Sequence, residues 1–134
     1  MNTRTASLVV REPQDKVFAY LSQVEHLPEW ATDFCRELKV VDGKYKVVSP
    51  MGELFFRLHA DERSGVIDMF AGPDEDQLAI FPTRVVALPD GSSAFIMTMF
   101  QWPGMTDQEF GGQYEALLRE FRNIEAIVTG AKAV

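Results

Sequence analysis

"TDQEFGGQYEALLREFRNIEAIV", residues 106–128, decides how the rest of the chain is read. Thr106 and Glu109 have the Ser/Thr-x-x-Glu spacing of a capping box: Thr106 accepts from the backbone N–H at Glu109, whose side chain reaches back. From there Phe110, Tyr114, Leu117, Leu118, Phe121, Ile124 and Val128 recur at helical intervals and make one continuous apolar face. Such a helix needs a broad apolar surface to lie on. Gly111 and Gly112 weaken its first turns, as local loosening or as a site of close packing.

What precedes the helix supplies that surface. From about residue 36 the apolar period changes to two, as half-buried strands require. "RELKVVDGKYKVV" (36–48) reads as a hairpin with Asp42-Gly43 at its turn. "GELFFRLHADE" (52–62) alternates, Ser64-Gly65 turns, and "VIDMF" (66–70) follows. "GPDED" (72–76) reads as a loop, "QLAIFPTRVVAL" (77–88) as a longer strand bent at Pro82, and "PDGSS" (89–93) as a turn into "AFIMTMFQW" (94–102).

At the start, "ASLVVREP" (6–13) begins as a strand, and Pro13 opens a helix carrying Val17, Phe18, Tyr20, Leu21 and Val24. Pro28 interrupts it, and "PEWATDF" (28–34) reads as a second short helix. The expectation is an α+β fold: a curved antiparallel sheet of about seven strands wrapped around the long C-terminal helix, with two short helices after strand 1. No linker or repeat divides the chain, so residues 1–134 read as a single domain.

Composition narrows the classes. A net charge of −7 with scattered basic residues argues against a nucleic-acid partner, which would need a basic face for phosphates. The one cysteine, Cys35, cannot form an intrachain disulfide, which fits a reducing compartment. "MNTRTASLVV" lacks the long apolar region of a signal peptide, and no apolar stretch approaches the ~20 residues that span a bilayer. A cytoplasmic protein, monomer or homodimer, without membrane insertion, is expected.

Three stretches resemble the START-like (SRPBCC, Bet v 1-like) superfamily with its helix-grip fold, and in particular its polyketide cyclase/dehydrase-like branch. They are "VFAYLSQVEHLPEW" (17–30), "SPMGELFFRLHADERSGVIDMF" (49–70) and "YEALLREFRNI" (114–124). The resemblance covers nearly the whole chain and implies a deep apolar cavity between the sheet and the C-terminal helix. It implies no single activity, because the superfamily includes lipid carriers, hormone receptors, cyclases, chaperone regulators and ring-hydroxylase subunits. It also implies that the short helices cross one end of the cavity, which puts Trp30 near its mouth, with Phe34 beyond.

Strand parity says which side chains face that cavity. Leu54, Phe56, Leu58 and Ala60 belong inside, and Arg57, His59 and Asp61 outside. By the same alternation Tyr45 and Val47, Ile67 and Met69, and Thr83 and Val85 face inward, while Asp68 and Arg84 face out; on 94–100 the alternation leaves either face open, and Phe95, Met97 and Met99 are favoured inside with Thr98 outside. With Tyr114, Leu117, Leu118 and Phe121 from the helix, the lining is apolar, and Tyr45, Thr83 and Tyr114 are its main polar groups. Phe56, Leu58, Met69, Tyr114 and Leu118 are expected to border one enclosed space of several hundred Å³. The competing reading is ordinary packed core.

The expected function is therefore binding of a small hydrophobic molecule (lipid-, aromatic- or polyketide-like) with no cofactor and no metal. An enzyme, a polyketide cyclase/dehydratase-like protein using Tyr114, Tyr45 or His26, is the alternative, since a phenol facing an apolar space can donate to a carbonyl or enolate. A protein-interaction or chaperone-type module is a third class. His59 with Arg57 and Asp61 could support acid–base chemistry only from a cleft, and parity gives them a solvated face. No nucleophile elbow, phosphate-binding glycine pattern or calcium loop occurs. Trp30 is expected to pack, and His26 to be structural or exposed.

Overall fold

The computed structural model describes residues 1–130. β1 (Thr3–Val10) leads into α1 (Gln14–Leu21), a 3-10 turn (Val24–His26) and α2 (Leu27–Trp30). Seven further strands follow: β2 (Glu37–Val41), β3 (Lys44–Ser49), β4 (Gly52–Asp61), β5 (Val66–Asp74), β6 (Gln77–Phe81), β7 (Thr83–Ala87) and β8 (Ser93–Phe100). α3 (Asp107–Thr129) closes the order. The strands form one open antiparallel sheet in the order β1-β8-β7-β5-β4-β3-β2, with β6 paired to β5. This is the expected α+β helix-grip arrangement. No helix among the described residues is long and apolar enough to cross a membrane.

Among the described residues the strands number eight because Pro82 divides the long strand. Proline has no N–H to give a ladder, so Pro82 keeps only its carbonyl, which accepts from the Thr98 N–H of β8 at 2.9 Å. β6 stays on β5, and beyond the break β7 lies between β5 and β8, with Arg84 opposite Val66, Thr83 opposite Met97 and Val85 opposite Phe95. The β2–β3 turn is of the kind expected, with Asp42 at φ 54° and Gly43 at φ 77°, which matches the twist of its flanking strands.

Three boundaries differ from the sequence reading. β1 starts at Thr3 instead of residue 6, because Thr3, Arg4 and Thr5 find ladder partners in Phe100, Met99 and Thr98. Residues 72–74, expected in a loop, extend β5 through an irregularity after Ala71. Gly72 makes this possible: a Cβ there would lie 2.2 Å from the Gln77 carbonyl oxygen. The second short helix stops at Trp30 and does not reach Phe34. Its expected last turn is instead held by side chains of α3.

α3 forms as its sequence dictates. Thr106 Oγ1 accepts from the Glu109 N–H and Glu109 Oε1 accepts from the Thr106 N–H, both at 3.0 Å. Gly130, in the left-handed region at φ 71°, ends it. Its buried stripe of Phe110, Leu117, Phe121, Ile124 and Val128 lies in the same core as the inner face of the sheet, where the Phe95 and Phe121 rings sit 4.6 Å apart.

Candidate functional site

Residues paired across an antiparallel ladder share a face of the sheet. Phe56 stands opposite Ala71, Leu58 opposite Met69 and Ala60 opposite Ile67, so these side chains lie on the helix side. Leu54, Phe56, Ile67, Met69, Thr83, Val85, Phe95, Met97 and Met99 are buried there, and Tyr45 and Leu58 are half-buried. Arg57, His59, Asp61 and Arg84 are exposed on the outer face, and Ala60 is exposed at the far end of its strand. His59 faces Asp68 across the ladder, and Arg57 lies 4.8 Å over the Phe70 ring. These are the faces the alternation gives, and β8, open to either face in the sequence, turns Phe95, Met97 and Met99 inward.

The space between sheet and α3 is occupied unevenly. Near the C-terminal half of α3 it is filled by Phe95, Phe121 and Ile124, none more than 3% exposed. Leu58, Phe81, Tyr114 and Leu118 pack against the core half-buried, as do Leu8, Phe34, Leu38, Tyr45 and Met105 around it. Of the five residues expected around an enclosed space, Phe56 and Met69 are buried in the core, and Leu58, Tyr114 and Leu118 are the partly covered ones. Two surface depressions lie elsewhere, one of about 380 Å³ beside Val9, Arg122 and Ala126, the other of about 320 Å³ beside Arg11, Asp90 and Ser92. None of the expected lining residues borders either.

The polar groups on this face have partners. The Tyr45 hydroxyl donates to Glu25 Oε1 at 2.5 Å, a bond that raises the phenol's pKa and lowers the carboxyl's. Thr83 Oγ1 donates to the Phe81 carbonyl at 2.9 Å. His26 Nδ1 lies 2.7 Å from the Tyr20 carbonyl oxygen, which can only accept, so Nδ1 carries the proton. Tyr20 also stacks on the His26 ring at 4.3 Å and donates its hydroxyl to Glu29 at 2.9 Å. His26 is therefore a structural residue of the break between helices. Tyr114, by contrast, lies beneath the Arg4 guanidinium, 4.9 Å from its ring centre.

Glu120 was missed. It is 4% exposed on α3 and its Oε2 accepts from the Phe34 backbone N–H at 3.1 Å. Burial pushes its carboxyl up to about 7, with the Phe34 N–H pulling the other way and the Asp33 charge adding to the rise. Buried Cys35 feels both effects, its thiol pushed up to about 11 by burial and by the charge of Glu120. On either side, Arg119 Nη2 pairs with Asp33 Oδ2 at 2.7 Å, and Asn123 Nδ2 donates to the Trp30 carbonyl and to Thr32 Oγ1, each at 3.0 Å. Trp30 itself is 3% exposed. The signal was present: Glu120 is three residues after Leu117 and four before Ile124, on the apolar stripe.

No family model matches the sequence. No curated protein matches it either. Solved structures do. The chain is similar to XoxI from Bacillus cereus with a TM-score of 0.74 at 12% identity, covering 96% of each chain. A START superfamily protein from Mycobacterium smegmatis matches with a TM-score of 0.65 at 15% identity, over 97% of this chain and 99% of that one. The Zhui aromatase/cyclase from Streptomyces sp. R1128 matches with a TM-score of 0.66 at 13% identity, over 96% and 92%. At such identities the comparison bears on fold. The fold is the START-like, helix-grip fold that the sequence resembled.

Proposed function

We propose that this chain binds a small hydrophobic molecule, lipid-, aromatic- or polyketide-like, between the sheet and the N-terminal half of α3, with no prosthetic group. One observation carries the reading. The inner face is apolar along several strands, and Leu58 and Phe81 on it, with Tyr114 and Leu118 on α3, are only half-buried. Met69, Met97 and Met99 beneath them give a wall that can change shape around a guest.

Access follows from the helix. Nothing lies within 4 Å of where a Cβ would sit on Gly111 or Gly112, so close packing does not account for this pair. They loosen the first turns of α3, which can swing aside to admit the molecule. Trp30 and Phe34, on the segment held by Arg119, Glu120 and Asn123, wall the space on another side, with the Phe34 and Phe56 rings 6.3 Å apart. The reading extends to a single domain over 1–134, working in the cytoplasm as a monomer or homodimer.

Catalysis is the weaker reading, because Tyr45 and His26 are committed to Glu25 and the Tyr20 carbonyl. Tyr114, the other phenol of the expected set, is half-buried on α3. The uncharged fluorophore N-phenyl-1-naphthylamine tests the proposal. Saturable uptake at one site per chain, weakened at least tenfold by Leu118→Gln with the fold intact by circular dichroism, is the expected result. Uptake that never saturates, or that ignores Leu118→Gln, overturns it.

A further inference from the structure

Resting on that reading, we infer that the bound molecule is an amphiphile whose carboxylate is held by Arg4 at the rim between β1 and α3. Arg4 stands opposite Met99 on the ladder, and Ala6, two residues on, stands opposite Met97. Met97 and Met99 are buried on the inner face, so Arg4 belongs to that face too. The other strand-borne cations do not. Lys39 faces Lys46, Lys44 faces Val41, Arg57 faces Phe70 and Arg84 faces Ile96, all on the outer side. Among the described residues Arg4 is the one lysine or arginine carried on the concave face by a strand.

Its surroundings leave it free to bind an anion. The guanidinium carbon lies 4.9 Å from the Tyr114 ring centre and 6.0 Å from that of Phe110. A ring beneath the guanidinium plane fixes its orientation and consumes none of the N–H donors, which point outward in that plane. The ion pairs among the described residues use Lys16, Lys39, Lys44, Lys46 and Arg119, and Arg4 is in none of them. The donors that remain form the fork that matches a carboxylate with two parallel hydrogen bonds. Tyr114 connects the two halves of the site: its ring lies under Arg4 and packs against the apolar core. A ligand with its charge on Arg4 would run its apolar body along Tyr114 toward Leu118 and Leu58.

Displacement of N-phenyl-1-naphthylamine by dodecanoate and by dodecanol, both below their aggregation limits, separates head from tail. The wild-type protein should prefer the acid at least tenfold, about 1.4 kcal/mol. Arg4→Gln should abolish that preference and leave the alcohol's affinity within twofold. Arg4→Lys should keep part of it, and raising the salt should erode the preference in the wild type without any mutation. If the alcohol binds and the acid has no advantage, or keeps it in Arg4→Gln, the carboxylate assignment falls while the apolar site stands. If the probe binds saturably and neither displaces it, the inference alone falls; if the probe itself shows no saturable uptake, the binding reading fails and takes the inference with it.

Discussion

Glu120 Oε2 accepts the backbone N–H of Phe34 at 3.1 Å, joining two residues 86 positions apart. One buried carboxylate thus ties the segment after α2 to the middle of α3. Arg119 and Asn123 make the neighbouring bonds, so this segment is fixed by the helix and not by a ladder of its own.

The pH dependence of stability follows. Glu120 rises from 4.5 to about 7 on folding, so the folded state holds this proton more tightly than the unfolded one. The contribution is fully present below pH ~4.5 and is lost as pH rises through about 7, at most roughly 3 kcal/mol. Glu120→Gln keeps an acceptor for the Phe34 N–H and removes the charge. Urea midpoints taken between pH 5 and pH 8 should fall less in this variant than in the wild type, which should be the less stable of the two at pH 8. Parallel profiles would mean that Glu120 stays ionised throughout.

Trp30 and His26, close in sequence, should behave differently. Trp30→Ala removes an indole that is 3% exposed and should cost about 3–5 kcal/mol. His26→Ala loses the bond to the Tyr20 carbonyl and a stacked ring, about 1 kcal/mol, and should leave probe affinity within about threefold. A larger loss of binding in His26→Ala, with the fold intact, would make His26 part of the site.

Gly112→Ala should stabilise the protein by about 1 kcal/mol, since alanine favours the helix and its methyl meets nothing within 4 Å. If the first turns of α3 must give way for entry, the same variant should slow probe uptake in stopped flow. Faster uptake would contradict a moving helix start.

His59→Ala should shift stability by less than ~0.5 kcal/mol, the usual range for an exposed surface position. Thr106→Ala, which removes one half of the capping box, should cost about 1 kcal/mol. Thermal unfolding of the two variants side by side checks that the outer face is tolerant and the helix start is not.

Local rules in the sequence determined the elements and their faces. The capping box at Thr106, the Asp42-Gly43 turn and the alternation on β4 each depend on neighbours a few residues apart, and all three appear in the fold as read. Pro82 was legible as a bend, but which strands its two halves join depends on β5 and β8 together. The missed features are long-range ones. Arg4 sits in a polar start that reads as tail until Met99 gives it a ladder partner and α3 gives it rings. Phe34 lies past α2 in a turn that keeps one backbone bond of its own, Cys35 N–H to the Ala31 carbonyl, and is otherwise tied to Arg119, Glu120 and Asn123 of α3. Glu120 lies on an apolar stripe, yet only packing against residues far away in the chain removes it from water and moves its pKa. Periodicity acts between neighbours and survives in the string of residues; burial and charge environment act through space and do not.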